Sequence, residues 1–412
     1  PDVEGYIVMT DEEHMPQTDL PRVYCYETLI KDESDQFDWP EFDENTASSL
    51  CYTSGTTGNP KGVLYSHRSN VLHALFALTV SGLPLDERST ILPVVPMFHV
   101  NAWGTPYFGL IAGTKLVFPG PGLDGENLAN LIENEKVTDA WGVPTVWLGL
   151  LGYMKKAGKK FSTLTRTLIG GSAVPKSMIE DFRDNFGVEA IQGWGMTEMS
   201  PLGTVATPRP SQRDGDWNEE LRLRASQGRL VFGVEMKIVD AEGKELPHDG
   251  ESQGELLVRG NAVISGYYEN PEATKKALDE DGWFHTGDVS VITPDGFMEI
   301  VDRVKDVIKS GGEWISSIDL ENEAIAHPGL AEAAVIGVRH EKWQERPLLV
   351  AVKNEDTDVT REDVLKFLEE RVAKWWLPDD VVFVDELPHG ATGKLQKAKL
   401  RDDFKDYKLP TE

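Results

Sequence analysis

The order of apolar and amphipathic segments constrains the fold of this chain more than any other feature. Between residues 47 and 192, short apolar runs alternate with longer segments whose apolar side chains recur at helical spacing. Strands and helices that alternate in this way indicate a largely parallel sheet with helices on both faces. We predict strands at 49–53, 90–95, 114–118, 138–141, 167–169 and 189–192, and helices at 69–80, 125–136, 145–155 and 175–186.

The pattern changes after residue 229. Four runs alternate apolar and polar residues, and Pro294–Gly296 is a typical turn sequence between the last two. This alternation predicts an antiparallel β subdomain with strands at 234–239, 254–258, 289–292 and 297–301. The final part returns to a mixed pattern typical of a small α+β domain, with helices at 319–327 and 361–372 and a strand at 333–338. The predicted class is therefore α/β, with mostly parallel α/β sheets, an antiparallel β subdomain and a small α+β C-terminal domain.

Acidic residues outnumber basic ones along the whole chain. There are 69 Asp and Glu against 41 Lys and Arg, which gives a formal net charge of −28. This charge argues against a protein that binds nucleic acid or an anionic membrane through its overall field. Residues 1–50 hold 14 acidic and 2 basic side chains, a composition typical of a solvated edge or linker.

No transmembrane segment is predicted, because the apolar stretch at 71–80 is short and is broken by His73. The two cysteines, Cys25 and Cys51, cannot form a disulfide framework. Such low cysteine usage is typical of a reducing compartment, so the expected location is cytoplasmic.

The segment Tyr52–Gly62 has the composition of an anion-binding loop. Four hydroxyl side chains, two glycines and Lys61 lie within residues 53–61. Glycine lets backbone N–H groups turn toward a phosphate, and the hydroxyls and the lysine add further donors. Because Gly62 follows Lys61 where Ser or Thr would be needed, the common nucleotide-triphosphate loop pattern is absent. The plain alternative for such a stretch is a flexible surface turn.

This segment resembles the phosphate-binding signature of the acyl-adenylate-forming enzymes, which include acyl-CoA synthetases, peptide synthetase adenylation domains and beetle luciferases. Further segments resemble signatures of the same family and occur in its order, so that the resemblance extends over residues 45–405. They are Gln192–Glu198, Gly282–Asp288, Asp302–Asp306 followed by Ser310–Ile315, and Pro388–Lys394.

Each of these segments also has an ordinary structural explanation. Trp194 could be a core residue and Glu198 a solvated surface acid. Thr286–Asp288 could be a turn, Asp302–Asp306 a salt-bridged strand end, and Lys394 a solvated lysine. The family interpretation rests on the five signatures occurring together and in order.

The resemblance implies a binding site for ATP and Mg²⁺. The early loop would hold the β- and γ-phosphates, Trp194 would stack on the adenine, and Asp288 and Arg303 would bind the ribose. Glu198 and Thr53 would hold Mg²⁺. The implied cofactor-binding residues are Thr53, Ser54, Gly55, Thr56, Thr57, Gly58, Lys61, Gly171, Ser172, Ala173, Gln192, Gly193, Trp194, Gly195, Met196, Thr197, Asp288, Arg303 and Lys394.

The resemblance also implies the catalytic groups and the acyl pocket. Lys394, His99 and Glu198 would be catalytic, with Lys394 bridging the carboxylate and α-phosphate oxygens. Pro96–Trp103 resembles the acyl-pocket helix of fatty acyl-CoA ligases, in which the tryptophan gates the acyl tunnel; as a plain alternative, Trp103 packs between helices. The implied pocket residues are His99, Trp103, Val143, Gly170 and Gly195.

The pocket segments carry no acid that could pair with a substrate ammonium, which favours an apolar acid. The implied activity is an ATP-dependent ligation of a carboxylic acid to CoA through an acyl-AMP intermediate, with a medium- or long-chain fatty acid as substrate. Two alternatives stay open at this stage. One is 3-methylmercaptopropionate as the acid, and the other is an acceptor other than CoA.

The resemblance finally implies a division of the chain. Residues 1–301 would be the large adenylation domain, 302–305 the hinge, and 306–412 a small mobile domain. Family members usually carry a longer segment before the phosphate-binding loop, so we expect the large domain to lack its N-terminal portion. The partners implied are the acid, ATP and CoA, with AMP or acyl-AMP as the bound intermediate and with a homodimer left open. The hinge and the CoA side would be formed by Lys305, Gly311, Gly312, Glu313 and Trp314.

Overall fold

The computed structural model describes residues 3–53, 60–79, 83–213, 215–240, 242–311, 313–354, 357–390 and 395–411. The chain divides into two compact units, Pro1–Glu44 and Asn45–Glu412. The smaller unit contains two short parallel strands and a helix, and most of its described residues are exposed, as its charge predicts. Its elements are β1 (Tyr6–Val8), β2 (Val23–Cys25) and a helix at Tyr26–Ile30.

The larger unit begins with a β-hairpin. Strands β3 (Ala47–Tyr52) and β4 (Gly62–Ser66) pair antiparallel, with Leu50 opposite Leu64. No strand was predicted between the glycine-rich loop and the helix at 69–80, so β4 was missed. The β-branched and aromatic run of β4 intervenes, so the loop joins two strands of one hairpin. Residues 54–59 of that loop lie outside the described residues.

A seven-stranded sheet forms the centre of the larger unit, in the order β11-β10-β9-β8-β7-β5-β6. The pairs among β5 to β9 are parallel, whereas β10 and β11 add antiparallel strands at one edge. The predicted mostly parallel sheet is confirmed. The strands are β5 (Thr90–Pro93), β6 (Lys115–Leu116), β7 (Asp139–Gly142), β8 (Arg166–Ile169), β9 (Glu189–Gly195), β10 (Leu202–Val205) and β11 (Arg229–Leu230).

Helices accompany this sheet, and their starts follow local capping chemistry. Ser66 and Ser69 form a reciprocal capping box at one helix start, and the Asp124 carboxylate accepts from two backbone N–H groups at another. The predicted helix at 175–186 continues into a π-helical turn at Phe182–Phe186. The helices are His67–Leu78, Thr105–Ala112, Gly125–Glu135, Pro144–Lys156, Lys176–Asp181, Pro210–Arg213 and Trp217–Ala225.

An antiparallel four-stranded sheet follows, as predicted. Its strands pair in chain order, and buried and less buried side chains alternate at the start of the second and third strands. A helix at Pro271–Ala277 lies between the second and third strands. The strands are β12 (Val234–Val239), β13 (Gly254–Gly260), β14 (Phe284–Ile292) and β15 (Met298–Arg303).

The last part of the chain forms a mixed sheet with helices, which agrees with the predicted α+β character. The long antiparallel pair β18–β19 is its centre, and β20 pairs parallel to β19. The strands are β16 (Ile308–Ser310), β17 (Glu313–Ile315), β18 (Leu330–His340), β19 (Gln344–Lys353) and β20 (Asp380–Phe383), and the helices are Ser317–Ile325, Arg361–Glu369 and Lys397–Asp403. Across the described parts of the chain, no helix has the length and apolarity that a membrane crossing requires.

Candidate active site

A cavity of about 770 Å³ opens in the larger unit, next to the carboxyl ends of the parallel strands. The segments that follow β8 and β9 contribute to its wall, as expected where parallel strands end. Residues from β14 and from the chain just after β15 complete it. Many of the predicted site residues line this cavity: Thr53, Lys61, His99, Trp103, Gly170, Gly171, Gly193, Trp194, Gly195, Met196, Thr197, Glu198, Arg303 and Lys305.

Other predicted residues lie beside the lining. An atom added to Gly171 as Cβ would be 3.1 Å from Val143, so Val143 packs behind the glycine. The Gln192 side chain is buried and its Oε1 accepts from the backbone N–H of Val174 at 3.2 Å, which supports the loop after β8. Four further predicted site residues are described but do not line the cavity: Ser172, Ala173, Asp288 and Gly311.

Several predicted residues cannot be placed. The side chains of Glu313 and Trp314 are not described, although their backbone forms β17. The following predicted residues lie outside the described residues altogether: Ser54, Gly55, Thr56, Thr57, Gly58, Gly312 and Lys394.

Glu198 belongs to a polar group that the sequence predicted only in part. It is buried just after β9, and the phenol of Tyr267 donates to its Oε1 at 2.7 Å. The Lys61 ammonium lies 4.7 Å from the centre of the Tyr267 ring. Burial and the Glu198 charge raise the pKa of Tyr267, so this phenol stays a donor at neutral pH. No spacing rule in the sequence pointed to Tyr267.

Trp194, Asp288 and Arg303 form a second group. Strands β14 and β15 pair with Asp288 opposite Arg303, and the Arg303 Nε lies 2.8 Å from Asp288 Oδ1. The Trp194 indole N–H donates to the other carboxylate oxygen at 3.2 Å. Asp288 is only 1% exposed, while Arg303 reaches the cavity. The structure thus joins the predicted adenine-stacking and ribose-binding residues through direct contacts.

One part of the cavity is apolar, and most of its residues were not predicted. His73 is buried there, and its Nε2 accepts from the backbone N–H of Leu202 at 3.1 Å. Burial lowers the pKa of His73 to about 3, so its imidazole is neutral. The wall in this part also includes Ala77, Leu83, Phe108, Trp141 and Leu168.

The segment that carries His99 and Trp103 is not the ordinary helix that the resemblance implied. Val100, Asn101, Ala102 and Trp103 have φ values of 52°, 51°, 50° and 59°, a left-handed turn that precedes the right-handed helix Thr105–Ala112. The Trp103 ring reaches the loop after β8: a Cβ on Gly170 would lie 3.3 Å from the ring and 3.0 Å from the Gly193 carbonyl. Only glycine fits at position 170 without displacing one of these neighbours.

Comparison with known protein families gives two matches. A profile of the AMP-binding enzyme family matches residues 8–268. A profile of the AMP-binding enzyme C-terminal domain matches residues 319–394.

The chain is also similar to individual ligases. It is 54% identical over 405 residues to a 3-methylmercaptopropionyl-CoA ligase of Ruegeria lacuscaerulensis, which covers 98% of this chain and 75% of that protein. It is 53% identical over 409 residues to a medium-chain-fatty-acid–CoA ligase of Ectopseudomonas oleovorans, covering 99% of this chain and 74% of that protein. A long-chain-fatty-acid–CoA ligase of Thermus thermophilus is 45% identical over 405 residues, covering 98% of this chain and 73% of that protein.

Solved structures agree with this relationship. ATP-bound MatB from Rhodopseudomonas palustris aligns with a TM-score of 0.80 and 28% identity, covering 94% of this chain and 76% of that chain. The anthranilate CoA ligase AuaEII in complex with anthranoyl-AMP aligns with a TM-score of 0.81 and 27% identity, covering 92% of this chain and 71% of that chain. The chain therefore belongs to the AMP-binding enzyme family, and within it to the AMP-forming acid–thiol ligases that depend on ATP.

Proposed function

We propose that this protein joins a medium- or long-chain fatty acid to CoA. In the first step the carboxylate attacks the α-phosphorus of ATP, which forms acyl-AMP and releases pyrophosphate. In the second step the CoA thiol loses its proton and attacks the acyl carbonyl, which forms the thioester and releases AMP. The observation that carries this proposal is a single cavity that combines a glycine-rich, polar wall with an uncharged apolar wall.

The polar wall suits a nucleotide. Glycines at 171, 193 and 195 let the backbone approach a flat or charged ligand closely. Lys61 supplies a positive charge for a phosphate, and Arg303 a cation beside the buried Asp288 carboxylate. We assign the nucleotide to this wall, with the ribose toward Arg303.

Glu198 and Thr53 also suit Mg²⁺. Both line the cavity, and carboxylate and hydroxyl oxygens are donors that this cation prefers. Mg²⁺ usually takes one or two protein ligands and completes its shell with water and phosphate oxygens, so two protein donors are sufficient. When bound, the ion would neutralise charge on the phosphates. The protein's own part is to hold the Glu198 carboxylate through the Tyr267 phenol.

The apolar wall suits the hydrocarbon of an acid. Phe108, Trp141 and Leu168 carry no charge, and the buried His73 is neutral. Burying each methylene of a substrate there contributes about 0.8 kcal/mol. A second candidate is 3-methylmercaptopropionate, because a relative at 54% identity is named for that acid. We further propose that residues 306–412 move as a small domain about the hinge at 302–305, and that the enzyme acts in the cytoplasm.

The test is a screen for CoA-dependent AMP formation with purified protein. The acids are saturated chains of graded length from butanoate to hexadecanoate, together with 3-methylmercaptopropionate. We expect the highest kcat/KM with a medium or long chain. A maximum at 3-methylmercaptopropionate would select the second candidate. Pyrophosphate release that does not depend on CoA, without thioester formation, would point to another acceptor.

A further inference from the structure

The left-handed turn at Val100–Trp103 adopts a conformation that its sequence does not favour. Residues other than Gly, Asn and Asp rarely take positive φ values, and Val, Ala and Trp are among the residues that disfavour them. Gly104 continues the run with φ of 80°. Such a conformation persists only where neighbouring structure determines it. Both His99 and Trp103, at the two ends of this turn, line the cavity.

Asn101 is the residue that fixes this turn to its surroundings. Its Nδ2 donates to the Ser49 hydroxyl at 2.9 Å and to the Tyr107 phenol oxygen at 3.3 Å. Its Oδ1 accepts a weak bond from the Cys51 thiol at 3.6 Å. Ser49 and Cys51 lie on β3, and Tyr107 lies on the helix that follows the turn. Asn101 thus connects the turn to two elements that are distant from each other in sequence.

The residue type fits this role as well as its contacts do. Asparagine tolerates the left-handed region better than most non-glycine residues, and here its amide also bonds to side chains of two other elements. The thiol of Cys51 packs against the same turn, and burial raises its pKa, which keeps it in the neutral form. The contact between the Cys51 thiol and Asn101 is therefore made by a neutral group at neutral pH.

We propose that Asn101 is a positioning residue for the acyl end of the site: it holds the left-handed turn so that Trp103 rests on Gly170 and shapes the wall that receives the acyl chain. This inference rests on the proposed function. Without the amide, the turn can relax toward ordinary backbone angles and the Trp103 ring moves away from Gly170. The nucleotide wall, which is built from β8, β9, β14 and β15, stays in place.

The test compares two ligands that differ in the acyl arm. One is AMP, and the other is 5′-O-(N-octanoylsulfamoyl)adenosine, a stable mimic of an acyl adenylate. Isothermal titration gives the affinity gained from the arm in the wild type and in Asn101→Ala. The matched control is Asn70→Ala, because the Asn70 amide also donates to a serine hydroxyl of β3, that of Ser48, at 2.7 Å.

We expect Asn101→Ala to weaken binding of the acyl mimic by about tenfold and binding of AMP by less than about twofold. Asn70→Ala should leave the affinity for both ligands unchanged. Asn101→Gly, which tolerates positive φ but lacks the amide, should fall between the wild type and the alanine variant. If Asn101→Ala does not fold, Ser49→Ala removes the partner hydroxyl instead, and about a threefold loss confined to the acyl mimic is expected.

The failures of the two proposals can be told apart. Equal weakening of both ligands, or no change in either, overturns the role of Asn101 while the ligase activity stands. A wild-type protein that gains affinity from the acyl arm but forms no acyl-CoA contradicts the proposed function and leaves the comparison of variants valid. A wild-type protein that gains nothing from the arm overturns both.

Discussion

His73 shows how a single buried side chain couples this fold to pH. Its pKa falls from 6.5 to about 3 because the imidazole is buried. Between these two pH values the imidazole therefore binds a proton in the unfolded chain but not in the folded protein. The stability that His73 provides is complete above about pH 6.5 and is lost as the pH falls toward 3.

Replacing His73 with glutamine removes this titration and keeps an acceptor for the Leu202 N–H. We expect the free energy of unfolding of the wild type to fall more steeply below pH 6.5 than that of His73→Gln, by up to about 1.4 kcal/mol per pH unit. Urea unfolding at several pH values measures both slopes. Parallel curves over the whole range would show that His73 does not titrate between the two states.

Tyr267 is the second residue that only the structure reveals. Because its phenol donates to Glu198, we expect Tyr267→Phe to raise the Mg²⁺ concentration for half-maximal pyrophosphate release by about tenfold. Tyr268→Phe removes a phenol from the exposed neighbouring side chain and serves as the matched control. An unchanged Mg²⁺ dependence in Tyr267→Phe would contradict the proposal that Tyr267 holds the Glu198 carboxylate for Mg²⁺.

At the scale of elements, alternation and periodicity identified the interior of the fold but not its edges. The run at 234–239 was placed residue for residue, because its apolar and polar positions alternate regularly. Strand β10 was missed because Leu202–Val205 is short and contains Gly203. The left-handed turn at Val100–Trp103 could not be predicted, since contacts made by Asn101 with distant residues determine it.

A buried polar network connects β15 with two C-terminal helices. Ser317 donates its backbone N–H and its hydroxyl to Asp302 Oδ2, each at 2.7 Å, and Lys397 donates to Ser317 Oγ at 2.6 Å and pairs with Glu321 at 2.7 Å. Burial raises the pKa values of Asp302 and Glu321. Burial alone would lower the pKa of Lys397, but the Glu321 and Asp302 charges outweigh it and raise this pKa.

Removing the cation leaves the buried carboxylates of Asp302 and Glu321 without the positive charge of Lys397. We expect Lys397→Met to lower the free energy of unfolding by about 3–5 kcal/mol at neutral pH, as measured by denaturant titration. The loss should shrink at lower pH, because Asp302 and Glu321 bind protons more readily in the folded state than in the unfolded chain. The double variant Lys397→Met with Glu321→Gln should recover part of the stability. A loss below about 1 kcal/mol would mean that the network is well solvated.

For the whole molecule, the sequence suggested more of the residues proposed to bind the nucleotide than of those that form the apolar wall. The residues proposed to bind the nucleotide occur in contiguous signatures such as Gln192–Glu198, so a short segment is enough to suggest them. The apolar wall draws His73, Phe108 and Trp141 from separate elements, and each residue alone is an ordinary core residue. Only the assembled fold shows that they share a wall. The sequence therefore indicated the substrate class and a few pocket residues, such as His99 and Trp103, but not this part of the pocket.

Lys394 tests the first half of the proposed reaction. It lies outside the described residues, and its role as the cation that neutralises the developing charge stays a prediction. We expect Lys394→Ala to slow acyl-AMP formation by on the order of 10²-fold. Thioester formation from supplied acyl-AMP should be far less affected. Lys399→Ala removes an exposed lysine on the neighbouring helix and is the control. Equal losses in both half-reactions would remove the proposed role.

Lys305 tests whether the two half-reactions need different arrangements of the chain. In the proposed mechanism, adenylation needs Lys394 beside the carboxylate and the α-phosphate, whereas thioester formation needs the CoA thiol at the acyl carbon. We therefore expect the hinge proposed at 302–305 to turn between the two steps. Proline at position 305 fixes φ and restricts this rotation. We expect Lys305→Pro to slow thioester formation by at least about tenfold while acyl-AMP formation changes little, the reverse of Lys394→Ala.

Lys305→Ala separates the backbone from the side chain, because it removes the ammonium at the cavity wall but leaves φ free. Rapid-quench measurement of both half-reactions in the two variants decides the matter. If Lys305→Ala reproduces the loss of Lys305→Pro, the side chain and not the rotation is responsible. If both steps slow equally in Lys305→Pro, the proposed hinge at 302–305 does not separate them.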